Sequence, residues 1–390
     1  MTSITENPAS DKLPAVVGGP SDEELARRIA LHLLPGIGPV LARQLVSYCG
    51  GIDGIFQKRK SQLERIPGIG PERAAAILTA NVLRRAEEEV RYIRKHAIRT
   101  YCYLDAEYPF RLKQCDTAPI LLFGRGMLQL NAPRMVAVVG TRKVTDYGRD
   151  LIAQFCEGMR EAGVTIVSGL AYGVDIVAHQ EALRCGLPTL GVTAHGLDRL
   201  YPDVHLGVAR KMEAKGGVLT EYATRTRPDR DNFPARNRIV AGLCDATLVI
   251  ESAERGGALI TAQFANEYNR EVFAIPGRIN DPYSRGCHWL IREHLARLVE
   301  QPEQFLEYMG WNETAEGSKL SGQSRQLPLF EELNDEERTV VETLRDSSED
   351  LDALAFRVRM PVNRLSVLLL QMEFRGIVRL RPGNRVELRS

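Results

Sequence analysis

"MVAVVGTRKVTDYG", residues 135–148, joins an unbroken apolar, β-branched run to a loop of small, hydroxyl-bearing and basic residues. A strand apolar at every position has no face to give to solvent, so it belongs inside a sheet covered on both sides. Further runs of the same kind follow: "VTIVSG" (164–169), "PTLGVT" (188–193), "GGVLTE" (216–221), "ATLVIE" (246–251) and "REVFAI" (270–275). Helical stretches of roughly ten to fifteen residues separate them. This alternation predicts an α/β class domain built on a doubly wound parallel sheet.

In such sheets ligands bind beyond the carboxyl ends of the strands, so the loops there carry the functional information. "GTRKVTDYG" (140–148), "SGLAYGVD" (168–175) and "ESAERGGALITA" (251–262) offer small residues, hydroxyls and helix N-terminal amides suited to anions, with Arg142, Lys143 and Arg255 adding charge. The first loop is neither G-x-G-x-x-G nor a P-loop, which disfavours a dinucleotide or ATP site, and no cofactor is expected. "TRTRPDRDNFPARNR" (224–238) carries five arginines against two aspartates and reads as one more loop on this edge, leading into the helix "IVAGL". A groove with basic side chains, glycine amides and an aromatic suits a phosphodiester backbone with splayed bases: Phe233 stacks a base while Arg236 and Arg238 hold phosphates. The competing reading has Arg236 and Arg238 bridging carboxylates internally and Phe233 plugging the core.

Composition sets the outer limits. The 390 residues are 44% hydrophobic and 26% charged with a net charge of +1, so the chain has enough apolar residue for two or three cores, and a polyanion must be held by a local patch. The seven cysteines are scattered without C-x-x-C spacing, which points to buried small hydrophobes and to no metal site. No basic n-region or long apolar run occurs, so a cytoplasmic protein with no membrane contact is expected.

Residues 1–21 read as disordered, and a helical domain as occupying 22–105. Within it "PGIGP" occurs at Pro35–Pro39 and again at Pro67–Pro71, between helical patterns, predicting a tandem helix-hairpin-helix. The hairpins either clamp phosphates through their glycine amides or simply reverse the chain. The sheet domain is placed at 106–311, a polar linker at 312–333 and a small domain at 334–390. That last segment, with "DEERTVVETL", "DLDALAFRV", "PVNRLSVLLLQMEFRG" and the hairpin "IVRLRPGNRVEL", has the pattern of a winged helix, contacting either DNA or protein. In the linker, "QLPLF" (Gln326–Phe330) matches the Q-L-x-L-F peptide of sliding-clamp partners, the alternative being a hydrophobic anchor for the winged helix.

Taken in order, "VAVVGTRKVTDYG", "IVSGLAYGVDIVAHQEAL", "GLDRLYP", "NFPARNRIVAGL", "VIESAERGGALITAQFANEYNREVFAIPG" and "SRGCHWLI" closely resemble the blocks of the DNA-processing protein A (DprA/Smf) family, most strongly over 120–300. The resemblance implies an extended Rossmann-like domain that binds single-stranded DNA as a homodimer and helps load the RecA recombinase during natural transformation. It further implies a DNA groove lined by Arg142, Lys143, Ser168, Gly169, Gly173, the loop from Phe233 through Arg236, Asn237 and Arg238, and Gly256, Gly257 and Thr261. Gly256 and Gly257 stand where the family's Ser-Gly pair is expected, and His205 and His288 where asparagines are, which puts polar contacts at those places in doubt.

A catalytic alternative is a nucleotide phosphoribohydrolase-like enzyme on the same sheet type. Asp175 and His179 lie four apart, with His195 and Glu221 as further titratable groups, but a cap and packing role suits the pair better. After the double glycine, no acid follows until Glu267. No catalytic residue is expected.

Overall fold

A computed structural model describes residues 20–312, 334–344, 349–375, 377–381 and 385–388. The chain forms two compact units, Met1–Thr314 and Ala315–Ser390.

The first unit opens with six helices: α1 (Asp22–Leu33), α2 (Pro39–Cys49), α3 (Ile52–Gln57), α4 (Lys60–Leu63), α5 (Pro71–Ile77) and α6 (Ala80–Lys95). Ser21 caps α1, its hydroxyl accepting from Glu24 N at 3.2 Å, with three acids in the first turn facing the positive helix end. Both hairpins turn on a left-handed glycine, Gly36 at φ +71° and Gly68 at φ +81°, and prolines 39 and 71 open the helices that follow. The expected helical run after Pro71 is broken at Leu78–Thr79, where the Thr79 hydroxyl donates back to Ala75 O at 2.9 Å. Leu25, Ile29, Leu45, Ile55, Leu63 and Ile77 fill the interior between these helices.

The sheet has nine strands: β1 (Arg99–Cys102), β2 (Leu121–Gly126), β3 (Met135–Val139), β4 (Thr165–Ser168), β5 (Thr189–Val192), β6 (Gly217–Thr220), β7 (Ala246–Val249), β8 (Glu271–Ala274) and β9 (Arg297–Leu298). Their order is β1-β2-β6-β5-β4-β3-β7-β8-β9, parallel from β6 to β9, with β2 antiparallel to both neighbours. The six apolar runs therefore form the parallel centre, as their composition requires. β1, β2 and the two-residue β9 extend it beyond the expected set, and the sheet begins at residue 99, ahead of the boundary placed after 105. Alternate residues of β3 serve opposite cores, Val136 and Val138 on one face and Met135, Ala137 and Val139 on the other. The flanking helices are α7 (Phe110–Lys113), α8 (Asp146–Gly158), α9 (Val174–Arg184), α10 (Leu206–Met212), α11 (Asn232–Leu243), α12 (Gly257–Glu267), α13 (Arg285–Arg292) and α14 (Pro302–Met309).

In the second unit, α15 (Asp335–Thr343), β10 (Glu349–Asp350), α16 (Leu351–Arg357), α17 (Val362–Phe374), β11 (Val378–Arg381) and β12 (Arg385–Leu388) form a winged helix with sheet order β10-β12-β11. A capping box starts α15: Asn334 Oδ1 accepts from Glu337 N at 2.8 Å, and Glu337 Oε2 accepts from Asn334 N at 3.0 Å. Val362, Val367 and Leu370 leave an apolar outward side on α17. The linker peptide Gln326–Phe330 lies outside the described residues.

Candidate nucleic-acid interface

The strand order reverses between β3, which leads to β4, β5 and β6, and β7, which leads to β8 and β9. Loops leaving adjacent strands in opposite directions open a crevice there. Glu251, just past β7 and 2% exposed, braces it. Its backbone O accepts from Thr141 N at 2.7 Å, and its carboxylate accepts from Thr145 N at 3.0 Å and from the Thr145 hydroxyl. On the other side Gly173 has φ +81°, and a Cβ there would lie 2.6 Å from Arg142 Cα, so only glycine lets the two loops approach. Val174 N, in the first turn of α9, donates to Thr141 O at 3.1 Å. Residues 141–145 are thus tied at both ends, and Arg142 and Lys143 stand exposed between the ties.

The aromatics gather beside these cations. The Arg142 guanidinium sits 5.4 Å from the Phe233 ring centroid, and the Phe233 ring lies 6.2 Å from that of Tyr201. Tyr172, half-exposed, meets the His205 ring edge-on at 5.0 Å. Tyr172 and Tyr201 are not among the residues expected from the sequence, although both occur in strand-carboxyl loops ("GLAYGVD", "RLYPD") where an exposed aromatic has no core to serve.

The expectation for Arg236 and Arg238 needs correction. "NFPARNR" is not a loop but the opening of α11, which starts at Asn232; Pro234 fits because first-turn N–H groups have no intrahelical partner to lose. Helical spacing then puts Arg236 on the same face as Ile239, Val240 and Leu243, which pack on the sheet. Arg236 is 4% exposed, its Nη1 donates to Val192 O at 2.6 Å, and its Nε has no partner among the described residues. It shares the space above Gly169 with Asp175, and burial lowers the arginine pKa and raises that of the aspartic acid. Arg238 is ion-paired with the buried Glu221, whose pKa burial raises against the pull of the guanidinium. Of the five arginines between 225 and 238, Arg225 is exposed and pairs with Glu88 at 2.9 Å, while Arg227 and Arg230 are exposed with no partner among the described residues.

Other expected residues divide in the same way. Ser168 and Thr261 are buried, and the Ser168 hydroxyl donates to Val138 O at 2.6 Å, so these hydroxyls do not face the groove. Asn237 Nδ2 donates to Gly257 O at 3.3 Å, joining α11 to the first turn of α12. Gly256 caps that helix, and a Cβ on Gly257 would enter open space. His205 points inward, its Nδ1 2.8 Å from Leu170 O, and His288 is half-buried on α13.

Asp175 and His179 do not act as a pair: Asp175 accepts from Ala171 N at 3.4 Å, and His179 Nδ1 lies 2.7 Å from Thr189 Oγ1. His195 bonds to Gly196 O through Nδ1 and accepts from Tyr201 N through Nε2. Among the described residues, no group of three or more His, Cys, Asp or Glu is placed to hold a metal ion, and no helix is long and apolar enough to cross a membrane. All seven cysteines are free and six of them are buried.

A doubly wound sheet whose switch-point mouth presents cations and aromatic rings, preceded along the chain by tandem helical hairpins and followed by a winged helix, defines a nucleic-acid-handling protein. The family model for DNA recombination-mediator protein A matches residues 99–310, that for the SAM-like helix-hairpin-helix tandem 26–80, and that for the DprA winged helix domain 326–384. Protein Smf of Escherichia coli is 36% identical over 329 residues, covering 80% of this chain and 86% of its own. Protein Smf of Synechocystis is 30% identical over 401 residues, covering 95% of this chain and all of its own. The X-ray structure of DNA processing protein A from Streptococcus pneumoniae superposes with a TM-score of 0.61 at 32% identity, over 74% of this chain and 97% of that one. The chain belongs to the DNA recombination-mediator protein A family, that of the DprA and Smf proteins.

Proposed function

We propose that this DNA-processing recombination mediator holds single-stranded DNA along the carboxyl edge of its sheet, as a homodimer, and passes the strand to RecA in the cytoplasm without chemical change. The observation that carries the reading is the row of exposed cations beside aromatic rings along the carboxyl edge: Arg142 over the half-buried Phe233, Phe233 beside Tyr201, and Lys143, Arg227 and Arg230 exposed with no partner among the described residues. Cations spaced along a groove suit successive phosphates, and rings between them suit unpaired bases, which present a π-face only when the duplex is open. The buried Glu251 and Glu221 and the half-buried Asp175, carboxylates beneath the carboxyl-edge loops, are bonded to or packed against protein groups, which supports holding rather than turnover.

The test is binding of fluorescent oligo-dT compared with duplex and with mononucleotides. Salt-sensitive binding of oligo-dT, weaker on duplex, absent on mononucleotides and without product, supports the reading; equal affinity for duplex, or turnover of a nucleotide, refutes it. For the linker, we propose that Gln326–Phe330 docks on the replicative sliding clamp. A labelled peptide covering 321–335 that binds purified clamp no better than its Phe330→Ala form refutes that proposal.

A further inference from the structure

The loop that follows β6 takes its shape from another part of the chain. Both backbone groups of Thr224 are bonded to α6 side chains: Thr224 N donates to Glu89 Oε1 at 2.8 Å, and Thr224 O accepts from Arg85 Nη2 at 2.7 Å. The Thr224 hydroxyl donates to Glu89 Oε2 at 2.5 Å, and Arg85 bridges back to the same carboxylate at 2.8 Å. Glu89 is 2% exposed, so this carboxylate is out of water, where it faces Arg85 and the loop residue Thr224. The next residue, Arg225, has φ +67°, a conformation that a non-glycine side chain keeps only where its surroundings impose it. The restraints are visible: Arg225 N donates to Asp198 Oδ1 at 3.1 Å, Gly196 N donates to Thr226 O at 3.2 Å, and the Arg225 guanidinium meets Glu88 of α6 at 2.9 Å. Immediately beyond this clamp the chain carries Arg227 and Arg230, then enters α11 with Phe233.

We infer that α6, the last helix of the hairpin region, is a positioning element for the DNA groove, acting through Glu89 on Thr224 to set Arg227 and Arg230 at the rim. The inference rests on the proposed single-strand binding. It gives the helical region a part in that binding that needs no contact between the hairpins and DNA. Without the Glu89 carboxylate, Thr224 N–H and O–H lose their acceptor, the left-handed turn at Arg225 keeps Asp198 and Glu88 but loses the hold on the residue before it, and the two rim arginines are less firmly placed.

The experiment is a double-mutant cycle in the full chain, reading oligo-dT affinity and its salt dependence for wild type, Glu89→Ala, Arg227→Ala/Arg230→Ala and the triple variant. Each phosphate contact to a single strand contributes about 0.7 to the log–log salt slope, so loss of two lowers the slope by about 1.4 and the affinity roughly 25-fold at about 0.1 M salt. Glu89→Ala should reproduce most of that loss in the wild-type background and add almost nothing once the arginines are gone. An unchanged slope in folded Glu89→Ala, or the same further loss in both backgrounds, overturns the inference. Should Glu89→Ala fail to fold, Thr224→Val removes only the two bonds of the hydroxyl, the one it donates to Glu89 and the one it accepts from Arg85 at 3.0 Å, and leaves the backbone bonds; a fall in affinity that vanishes in the arginine-free background supports the clamp, and wild-type affinity overturns it. If the wild-type chain itself binds oligo-dT without salt dependence, the proposed function fails first, and the inference with it.

Discussion

His179 makes the fold acid-sensitive directly behind the proposed groove. The Thr189 hydroxyl donates to Ile166 O at 3.1 Å, so toward His179 it can only accept; Nδ1 therefore carries the proton, and Nε2 is a bare lone pair, fully buried with no partner among the described residues. A second proton would have to sit there without an acceptor, in a site shared with the Arg236 cation. Burial first, then Arg236, push the pKa down from 6.5 to about 3. Because the folded value is depressed, the unfolded chain takes up the proton first as pH falls, and stability present above about pH 6.5 is progressively lost toward pH 3. Between pH 7 and pH 5 the loss from this residue alone is about 2 kcal/mol, from about 1.36 kcal/mol per pH unit once the unfolded imidazole titrates; that figure holds for any folded value below about 4. Urea unfolding followed by tryptophan fluorescence measures it cleanly, because Trp289 and Trp311, the chain's two tryptophans, both lie in the first unit. Each protein is compared with itself at the two pH values, so any offset that His179→Gln introduces at neutral pH cancels. His32, which burial pushes down to about 4, and His195, also lowered by burial, steepen the acid loss in both proteins alike. The variant should lose about 2 kcal/mol less than wild type between pH 7 and pH 5. Equal losses would refute the buried neutral imidazole.

Arg238→Ala leaves the Glu221 carboxylate buried and unpaired, so denaturation should show a loss of about 3–5 kcal/mol, whereas Arg142→Ala, at an exposed position, should stay within about 0.5 kcal/mol of wild type. In oligo-dT titrations Arg142→Ala should lower the salt slope by about 0.7, while Phe233→Leu weakens binding with the slope unchanged, since a stacked base releases no counterion. Gly173→Ala sets a Cβ against the Thr141 and Arg142 backbone at positive φ; a melting curve should report destabilisation of more than about 1 kcal/mol, and binding should weaken with it.

The sequence by itself determined whatever depends on neighbours along the chain. Unbroken apolar runs such as Met135–Val139 specify a strand covered on both faces, the repeated Pro-Gly-Ile-Gly-Pro specifies paired hairpins, and the small residues and cations after each strand make the carboxyl edge the candidate site. β1 and β2 escaped that reading because they stand outside the alternation of apolar runs and helices: Arg99–Cys102 is only half buried, and both strands pair antiparallel at the edge of the sheet, which no local pattern announces. What each arginine does was decided only by the tertiary structure. Arg236, Arg227 and Arg230 are chemically the same residue within one short segment, yet α11 begins at Asn232, and that helical phase turns Arg236 into the protein while Arg227 and Arg230, ahead of the helix, remain exposed. Similarly, nothing around Glu89 announces its partner Thr224, more than a hundred residues away, because a buried carboxylate and the loop it holds meet only when the sheet and the hairpin region are packed together.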